Sequence, residues 1–329
     1  MISKIKENKM EMTFEDKINL CFHKISEIDK PDFSRNELNH FADFVELLAI
    51  FSQEDGISYG DIQDRFFGEP DECNSSERND INEVFINNIY SLIEERIVQY
   101  GDLYPFIMGK EQVLILQNTL SSNQKLYLLL LLSSTLYIFK SFNTELTTDF
   151  ETICCETMKI FLPNAIVKPF GKNSEYTGTA SEKIKKLASD IGLPINQYEI
   201  EQIGERNTQE RGLDIVGWLP FKDNCHNLIV YLCQCACGKN YEYKQHDTRR
   251  FENYYDFYNT TPQHTLFLPY SLIDPKVGKF YHSDYIERNF LIFERMRILY
   301  LIKEHSDIFY QLRSKDIVER CIVNITNFS

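Results

Sequence analysis

Two apolar runs near the middle of the chain carry polar residues that a buried strand seldom holds. The first, residues 212–218 (GLDIVGW), contains Asp214, and the second, residues 228–239 (LIVYLCQCACGK), contains Gln234 and ends at Lys239. Short apolar runs rich in β-branched and aromatic residues predict strands. Burying an unpaired carboxylate or amide costs free energy, so such groups in a strand usually have a partner or a use. The two runs therefore predict a sheet that carries a polar site.

Helices and further strands are expected around these runs. Thr147-Thr148-Asp149 precedes an apolar pattern over 150–161, and a second helical pattern runs from Ser181 to a stop at Gly192. Additional strands are expected at 197–203 and 265–269, and a closing helix at 286–302. Helices alternating with strands predict a layered α/β or α+β domain.

The sequence of the first 145 residues predicts helices. Apolar residues recur at helical spacing in 41–51 and 84–97, and Ser58 lies where it would cap a short helix between them. This pattern is compatible with a helix-turn-helix or winged-helix unit. The alternative is an all-α bundle that docks a protein. It is favoured because residues 1–145 carry 13 Lys and Arg against 25 Asp and Glu.

The most apolar segment spans residues 126–139, between Lys125 and Lys140. It is shorter than the roughly 20 residues that cross a bilayer, so a buried core helix is expected and no membrane partner. The chain has nine cysteines, and its first residues lack the apolar region of a secretory signal. Free cysteines in a cytoplasmic protein are the corresponding expectation.

The predicted order of elements resembles that of the PD-(D/E)xK, or restriction-endonuclease-like, nucleases. That order is a helix, a strand, a strand with Asp and a strand with Gln. The pairing of residues 212–214 with Gln234 is most similar to the Mrr-like branch, in which Gln replaces the second acid. Residues 234–239 are similar to nuclease-like proteins associated with bacterial anti-phage defence. The resemblance covers about 150–300. It implies an α/β, restriction-endonuclease-like mixed sheet flanked by helices over 146–329, preceded by an all-α domain over 1–145.

The resemblance implies a metal-dependent endonuclease that cleaves phosphodiester bonds of DNA with Mg²⁺ or Mn²⁺. Hard cations of this kind prefer oxygen ligands. The metal ligands would be Asp214, the amide oxygen of Gln234 and the backbone carbonyl of Cys235. Glu151, in a Phe-Glu pair often found on the family's preceding helix, would assist them. A lysine would activate the attacking water.

The position of that lysine departs from the family pattern. The usual site, two residues after Gln234, is Ala236 in this chain. Lys239 is five residues away, on the opposite strand face unless Gly238 introduces a bulge. Lys239 is the expected catalytic cation, and Lys244 is its substitute.

Nucleic-acid contact is expected from Lys244, Arg249 and Arg250, which lie among aromatic residues. A solvated helix face explains the same composition equally well. The net charge of −14 gives no broad positive field for DNA. Activation by a protein partner, such as a member of a defence complex, is therefore expected, and an oligomer is compatible with it. The alternative function is a catalytically inactive nuclease-fold subunit that serves as a scaffold.

A dense group of cysteines raises the question of zinc. Cys233, Cys235 and Cys237 alternate along one predicted strand, with Cys225 and His226 upstream. Structural zinc sites usually space their cysteines by two to four residues on turns. Buried strand cysteines are the preferred interpretation.

Overall fold

The computed structural model describes residues 12–34, 37–52, 55–68, 76–171, 173–204, 212–221, 223, 225–274, 276–281 and 286–323. The first half contains α1 (Phe14–Glu27), α2 (Leu38–Phe51), α3 (Tyr59–Phe67), α4 (Ser76–Tyr100), the hairpin β1 (Phe106–Met108) and β2 (Leu114–Leu116), and α5 (Ser122–Ser134). The second half begins with α6 (Asn143–Phe161), β3 (Ile166–Pro169), α7 (Ala180–Ile191), α8 (Gln197–Glu201), β4 (Ile215–Trp218) and β5 (Val230–Cys235). It continues with α9 (Gln245–Arg249), α10 (Phe251–Tyr254), β6 (Gln263–Phe267), β7 (Ile273–Asp274), β8 (Lys279–Phe280), β9 (Phe290–Phe293), α11 (Arg295–Ile302) and α12 (Lys315–Ile322).

A five-stranded mixed sheet in the order β3-β4-β5-β6-β9 forms the centre of the second half. β4 runs antiparallel to both of its neighbours, β3 and β5. β5, β6 and β9 run parallel to one another. Odd-numbered residues of β5, such as Cys233, face the core that α6 shares, and even-numbered ones, such as Leu232, face the core beneath α7 and α10. The predicted mixed α/β architecture with a helical N-terminal region is confirmed.

Capping residues set several helix boundaries where the sequence predicted them. The Ser58 hydroxyl accepts from the Asp61 amide, and the Asp61 carboxylate accepts from the Ser58 amide, so a capping box starts α3. α7 ends at Gly192, whose φ of +85° is the left-handed conformation that glycine adopts without a Cβ penalty. These local signals act through neighbouring residues, which is why they can be read from sequence.

Two sequence expectations were wrong. The segment 197–203 is not a strand: Gln197–Glu201 form α8, because the Asn196 side chain caps a helix there by accepting from the Glu199 amide. The segment 286–302 is not one helix. Residues 290–293 pair with β6 as an edge strand, and Glu294 then caps α11 by accepting from the Arg297 amide.

The leucine-rich α5 is buried on nearly every side. It packs against α2 of the first half and against α6, α11, α12 and the 3₁₀ segment Lys303–Gln311 of the second, so helices from both halves of the chain enclose it. None of the helices in the described ranges combines the length and apolar character needed to cross a bilayer. The expected core helix is confirmed.

A buried ionic network joins the two halves of the chain. Arg295, at the start of α11, donates to both Asp43 oxygens at 3.1 and 2.8 Å. Arg96 donates to Asp43 at 2.8 Å and to Glu46 at 2.5 Å. All four side chains are at most 3% exposed, and two cations balance two anions. One apolar core cluster likewise runs from α1 to α12, so the helices before residue 145 and those after the sheet share one interior.

Candidate functional site

Asp214 and Gln234 lie opposite each other at one end of β4 and β5. Ile215 pairs with Cys233, so the next position brings Asp214 beside Gln234. Oδ2 of Asp214 accepts from the Gln234 side-chain amide at 2.8 Å and from the Cys235 backbone amide at 2.7 Å. Its own backbone amide donates to the Cys233 carbonyl at 2.9 Å. Hydrogen bonds therefore hold both the backbone and one carboxylate oxygen of Asp214 in place.

The second Asp214 oxygen and Glu151 of α6 face the same gap. A Cβ built on Gly171 would lie 3.1 Å from Asp214 Oδ1 and 3.1 Å from Glu151 Oε2. The two carboxylate oxygens are therefore separated by twice that distance at most. The Gly171 amide donates to the Asp214 carbonyl at 3.0 Å, which keeps this loop against the strand end. A side chain at position 171 would therefore press against both carboxylates, and glycine avoids that contact.

The carbonyl oxygen of the Gln234 side chain is buried without a hydrogen-bond donor. Gln234 is 5% exposed, and its Oε1 atom is among the described buried polar atoms that have no partner. A buried acceptor left without a donor costs about 1–3 kcal/mol. This oxygen lies 3.1 Å from the position a Gly212 Cβ would occupy. A donor or cation bound at this strand end would offset the free-energy cost of burying that oxygen.

Asp247 of α9 approaches the same point and was not anticipated from the sequence. Its Cβ would lie only 2.3 Å from a Cβ on Gly212, whose φ is +86°. Asp247 accepts from Arg250 at 2.9 Å and lies 3.5 Å from the Lys244 ammonium. Asp247 therefore lies near both the Lys244 ammonium and the Gln234 side chain.

The predicted nucleic-acid-binding residues all lie in ion pairs. Lys244 and Arg250 share Asp247, and Arg249 contacts Glu287 at 2.7 Å. Each of the three basic side chains remains about half exposed. Their positive charge is partly offset by acids of the same surface, so the patch attracts phosphate less strongly than its sequence suggests.

Lys239 lines a cavity that neither Asp214 nor Glu151 lines. β5 ends at Cys235, so Gly238 is beyond the strand and the expected strand bulge does not form there. The Lys239 ammonium is 5.5 Å from the centre of the Phe33 ring, and Lys239 lines a cavity with His40 and Tyr270. The described contacts of Lys239 are therefore with the segment before α2 and with α2, whereas Lys244 lies beside Asp247.

Two thiols pack beneath the carboxylates. Cys154 of α6 and Cys235 interact through a hydrogen bond. Burial raises the pKa of both thiols, and the negative charges of Asp214 and Glu151 raise the pKa of both further. Both sulfurs therefore stay protonated at neutral pH, so oxygen atoms are the anionic donors of this site.

Four groups of this region carry oxygen donors: the carboxylates of Asp214 and Glu151, which lie near Gly171, the Gln234 side-chain carbonyl, which lies near Gly212, and the Cys235 backbone carbonyl. Within the described ranges, no three His, Cys, Asp or Glu side chains are arranged to hold a metal ion. The set above contains only two such side chains, and its other donors are an amide and a backbone carbonyl. Comparisons with protein-family models, with curated proteins and with solved structures found no match to this chain.

Proposed function

We propose that the chain is a metal-dependent endonuclease that cleaves phosphodiester bonds of DNA. One observation carries the proposal: the carboxylate oxygens of Asp214 and Glu151 face a shared gap in front of Gly171, beside the amide of Gln234. A paired-acid gap at the end of a central strand suits phosphodiester hydrolysis, in which negative charge builds on phosphate oxygens.

The order of elements supports a restriction-endonuclease-like arrangement. α6 supplies Glu151 and is followed by β3, by β4 with Asp214 at its start, and by β5 with Gln234 near its end. α9 and α10 then precede β6, which adds in parallel beside β5. This is the helix, strand, strand-with-Asp, strand-with-Gln order on which the resemblance to PD-(D/E)xK nucleases rests.

The donor chemistry fits Mg²⁺ or Mn²⁺. Asp214, Glu151, Gln234 and the Cys235 carbonyl would hold the ion through oxygen atoms, which these cations prefer. The buried Gln234 side-chain oxygen is an acceptor that a bound cation would satisfy. When bound, the ion would polarise a phosphate oxygen and lower the pKa of a coordinated water.

The chain's own residues would orient the reactants. The Cys235 amide holds Asp214 Oδ2 at 2.7 Å, so the other oxygen of that carboxylate keeps its direction toward the gap. The Glu151 oxygen that does not coordinate the ion would accept a proton from the attacking water. The Lys244 ammonium, beside Asp247, would offset phosphate charge at the entrance, and we assign it this role in preference to Lys239.

The alternative, a catalytically inactive scaffold, is favoured by one observation. Lys244, Arg249 and Arg250 are paired with acids of the same surface, and the chain carries a net charge of −14. DNA affinity then has to come from a more basic partner, for which a member of a defence complex is our proposal.

A cleavage assay with Mg²⁺ or Mn²⁺ tests the nuclease function. Linear, supercoiled and single-stranded DNA, and RNA, would be incubated with wild type, Asp214→Asn and the matched control Asp190→Asn. Asp190 pairs with Lys168 at 2.8 Å, away from the gap. We expect wild type and the control to cleave DNA, and Asp214→Asn to lose at least a hundredfold in rate. Equal cleavage by wild type and Asp214→Asn removes this site from the reaction.

Gly171→Ala tests whether the gap itself is used. The added methyl group would sit 3.1 Å from both carboxylate oxygens. The φ of Gly171 is not in the left-handed region, so alanine fits the backbone. We expect cleavage to fall, because the methyl group occupies the gap and the two carboxylate oxygens have to shift by a few tenths of an ångström to admit it. Full activity in Gly171→Ala would show that the gap is not where the substrate or ion lies.

A further inference from the structure

A cavity of about 310 Å³ opens where the N-terminal helices meet the carboxyl ends of β5 and β6. Its lining comes from the segment before α2, α2 itself, the segment after α5, and the residues that follow β5 and β6. The lining residues are Asp32, Phe33, His40, Ser134, Leu136, Tyr137, Cys237, Gly238, Lys239 and Tyr270. This volume is at the lower end of the range for small-molecule sites, and ligands of α/β sheets commonly bind beyond the carboxyl ends of parallel strands.

Aromatic rings form the walls of this cavity. The rings of Phe33 and His40 stack at 4.9 Å with an interplanar angle of 23°. Tyr270 stands at 83° to His40 at 5.0 Å, and Tyr137 stands at 83° to Phe33 at 5.8 Å. Aromatic rings packed against one another in this way form a rigid apolar wall, and such a wall suits a planar aromatic guest.

The polar groups of the cavity define the charge of that guest. The Lys239 ammonium lies over the face of Phe33 at 5.5 Å from the ring centre, at the mouth of the cavity. Burial lowers the pKa of His40, so its ring is neutral at pH 7 and available for hydrogen bonding. Asp32 also lines the mouth, where it favours N–H donors and disfavours a second negative group on the guest.

We propose that this cavity binds a planar heteroaromatic molecule that carries a single acid group, with the ring against Phe33 and His40 and the acid group on Lys239. The Asp32 carboxylate would accept from an N–H of the ring. The site is separate from the carboxylates of Asp214 and Glu151, and it stands whether or not the chain cleaves DNA.

Binding to the full-length chain tests this site. Indole-3-acetate and adenosine monophosphate would supply a carboxylate and a phosphate, and indole and adenosine would serve as their neutral counterparts. Affinity would be measured by titration calorimetry and by saturation-transfer NMR. We expect at least one acid to bind roughly tenfold more tightly than its neutral counterpart, the size of effect expected for a charged hydrogen bond. Which acid binds distinguishes a carboxylate from a phosphate ligand.

Two variants identify the cavity. Lys239→Ala is expected to abolish the preference for the acid while leaving the neutral counterpart's affinity unchanged. Lys303→Ala is the matched control, because Lys303 also lies over an aromatic ring, 4.6 Å from the centre of Tyr300, outside the cavity. Lys239 is exposed, so its removal leaves the fold intact. The proposal is overturned if neither acid binds wild type, or if Lys239→Ala binds the acid as wild type does.

Discussion

Asp43→Asn would leave the buried ionic network with one uncompensated positive charge. Asp43 accepts two hydrogen bonds from Arg295, one from Arg96 and one from Ser134, and its side chain is 3% exposed. Burial alone would raise its pKa, yet Arg295 and Arg96 hold the pKa below its usual value. Removing one partner of a buried pair typically costs about 3–5 kcal/mol. We expect this loss in the free energy of unfolding.

Urea unfolding followed by circular dichroism would measure the loss as a lower midpoint at an unchanged slope. Glu156→Gln is the control, since Glu156 pairs with Lys159 on an exposed helix surface and its loss should cost less than about 1 kcal/mol. The double variant Asp43→Asn with Arg295→Met leaves Arg96 and Glu46 as a balanced pair. It should therefore be more stable than the sum of the single losses predicts, by about 1–3 kcal/mol. A cost below about 1 kcal/mol for Asp43→Asn would show that these charges are not buried together.

Two further predictions concern the backbone and the pH. Gly212→Ala should lower the free energy of unfolding by more than about 1 kcal/mol, because φ is +86° and the new Cβ would lie 2.3 Å from Asp247 Cβ; wild-type stability would contradict this. Burial lowers the pKa of His264, so the unfolded chain takes up a proton near pH 6.5 while the folded chain resists it, and stability should fall as the pH drops below about 6.5. Between pH 7.5 and 5.5, the free energy of unfolding should fall less in His264→Gln than in wild type. His23→Gln, in which an exposed ring is replaced, should lose as much as wild type. Equal losses in all three chains would refute the role given to His264.

The parts of the fold that depend on neighbouring residues were readable from the sequence. Capping at Ser58, the glycine stop at Gly192 and the strand patterns of β4 and β5 all act over a few positions. The edge strand β9 was missed because its pairing with β6 joins segments 26 residues apart, at His264 and Phe290, and the first half of the closing pattern looked helical. Propensity alone does not decide such cases when tertiary pairing is available.

The candidate site divides in the same way. The pairing of Asp214 with Gln234 could be predicted because both are polar residues in apolar runs. In the structure, the Gln234 side-chain amide donates to Asp214 Oδ2 at 2.8 Å. Gly171 and Asp247 could not be predicted, because each reaches the site from a loop or helix distant in sequence. Gly171 lies outside every helix and strand expected from the sequence, and Asp247 lies in a stretch that was interpreted through its basic residues. The Asp43–Arg295 contact, 252 residues apart in sequence, left no local signal.

We propose that the gap between Asp214 and Glu151 holds a divalent cation. Mn²⁺ binding tests this without depending on a substrate or an activating partner. Electron paramagnetic resonance of free Mn²⁺, titrated with the full-length chain, gives stoichiometry and affinity. We predict one Mn²⁺ per chain for wild type and for Asp190→Asn, and loss of that site in Asp214→Asn. Binding of Mn²⁺ by Asp214→Asn with wild-type affinity, or no binding by wild type, would contradict the account.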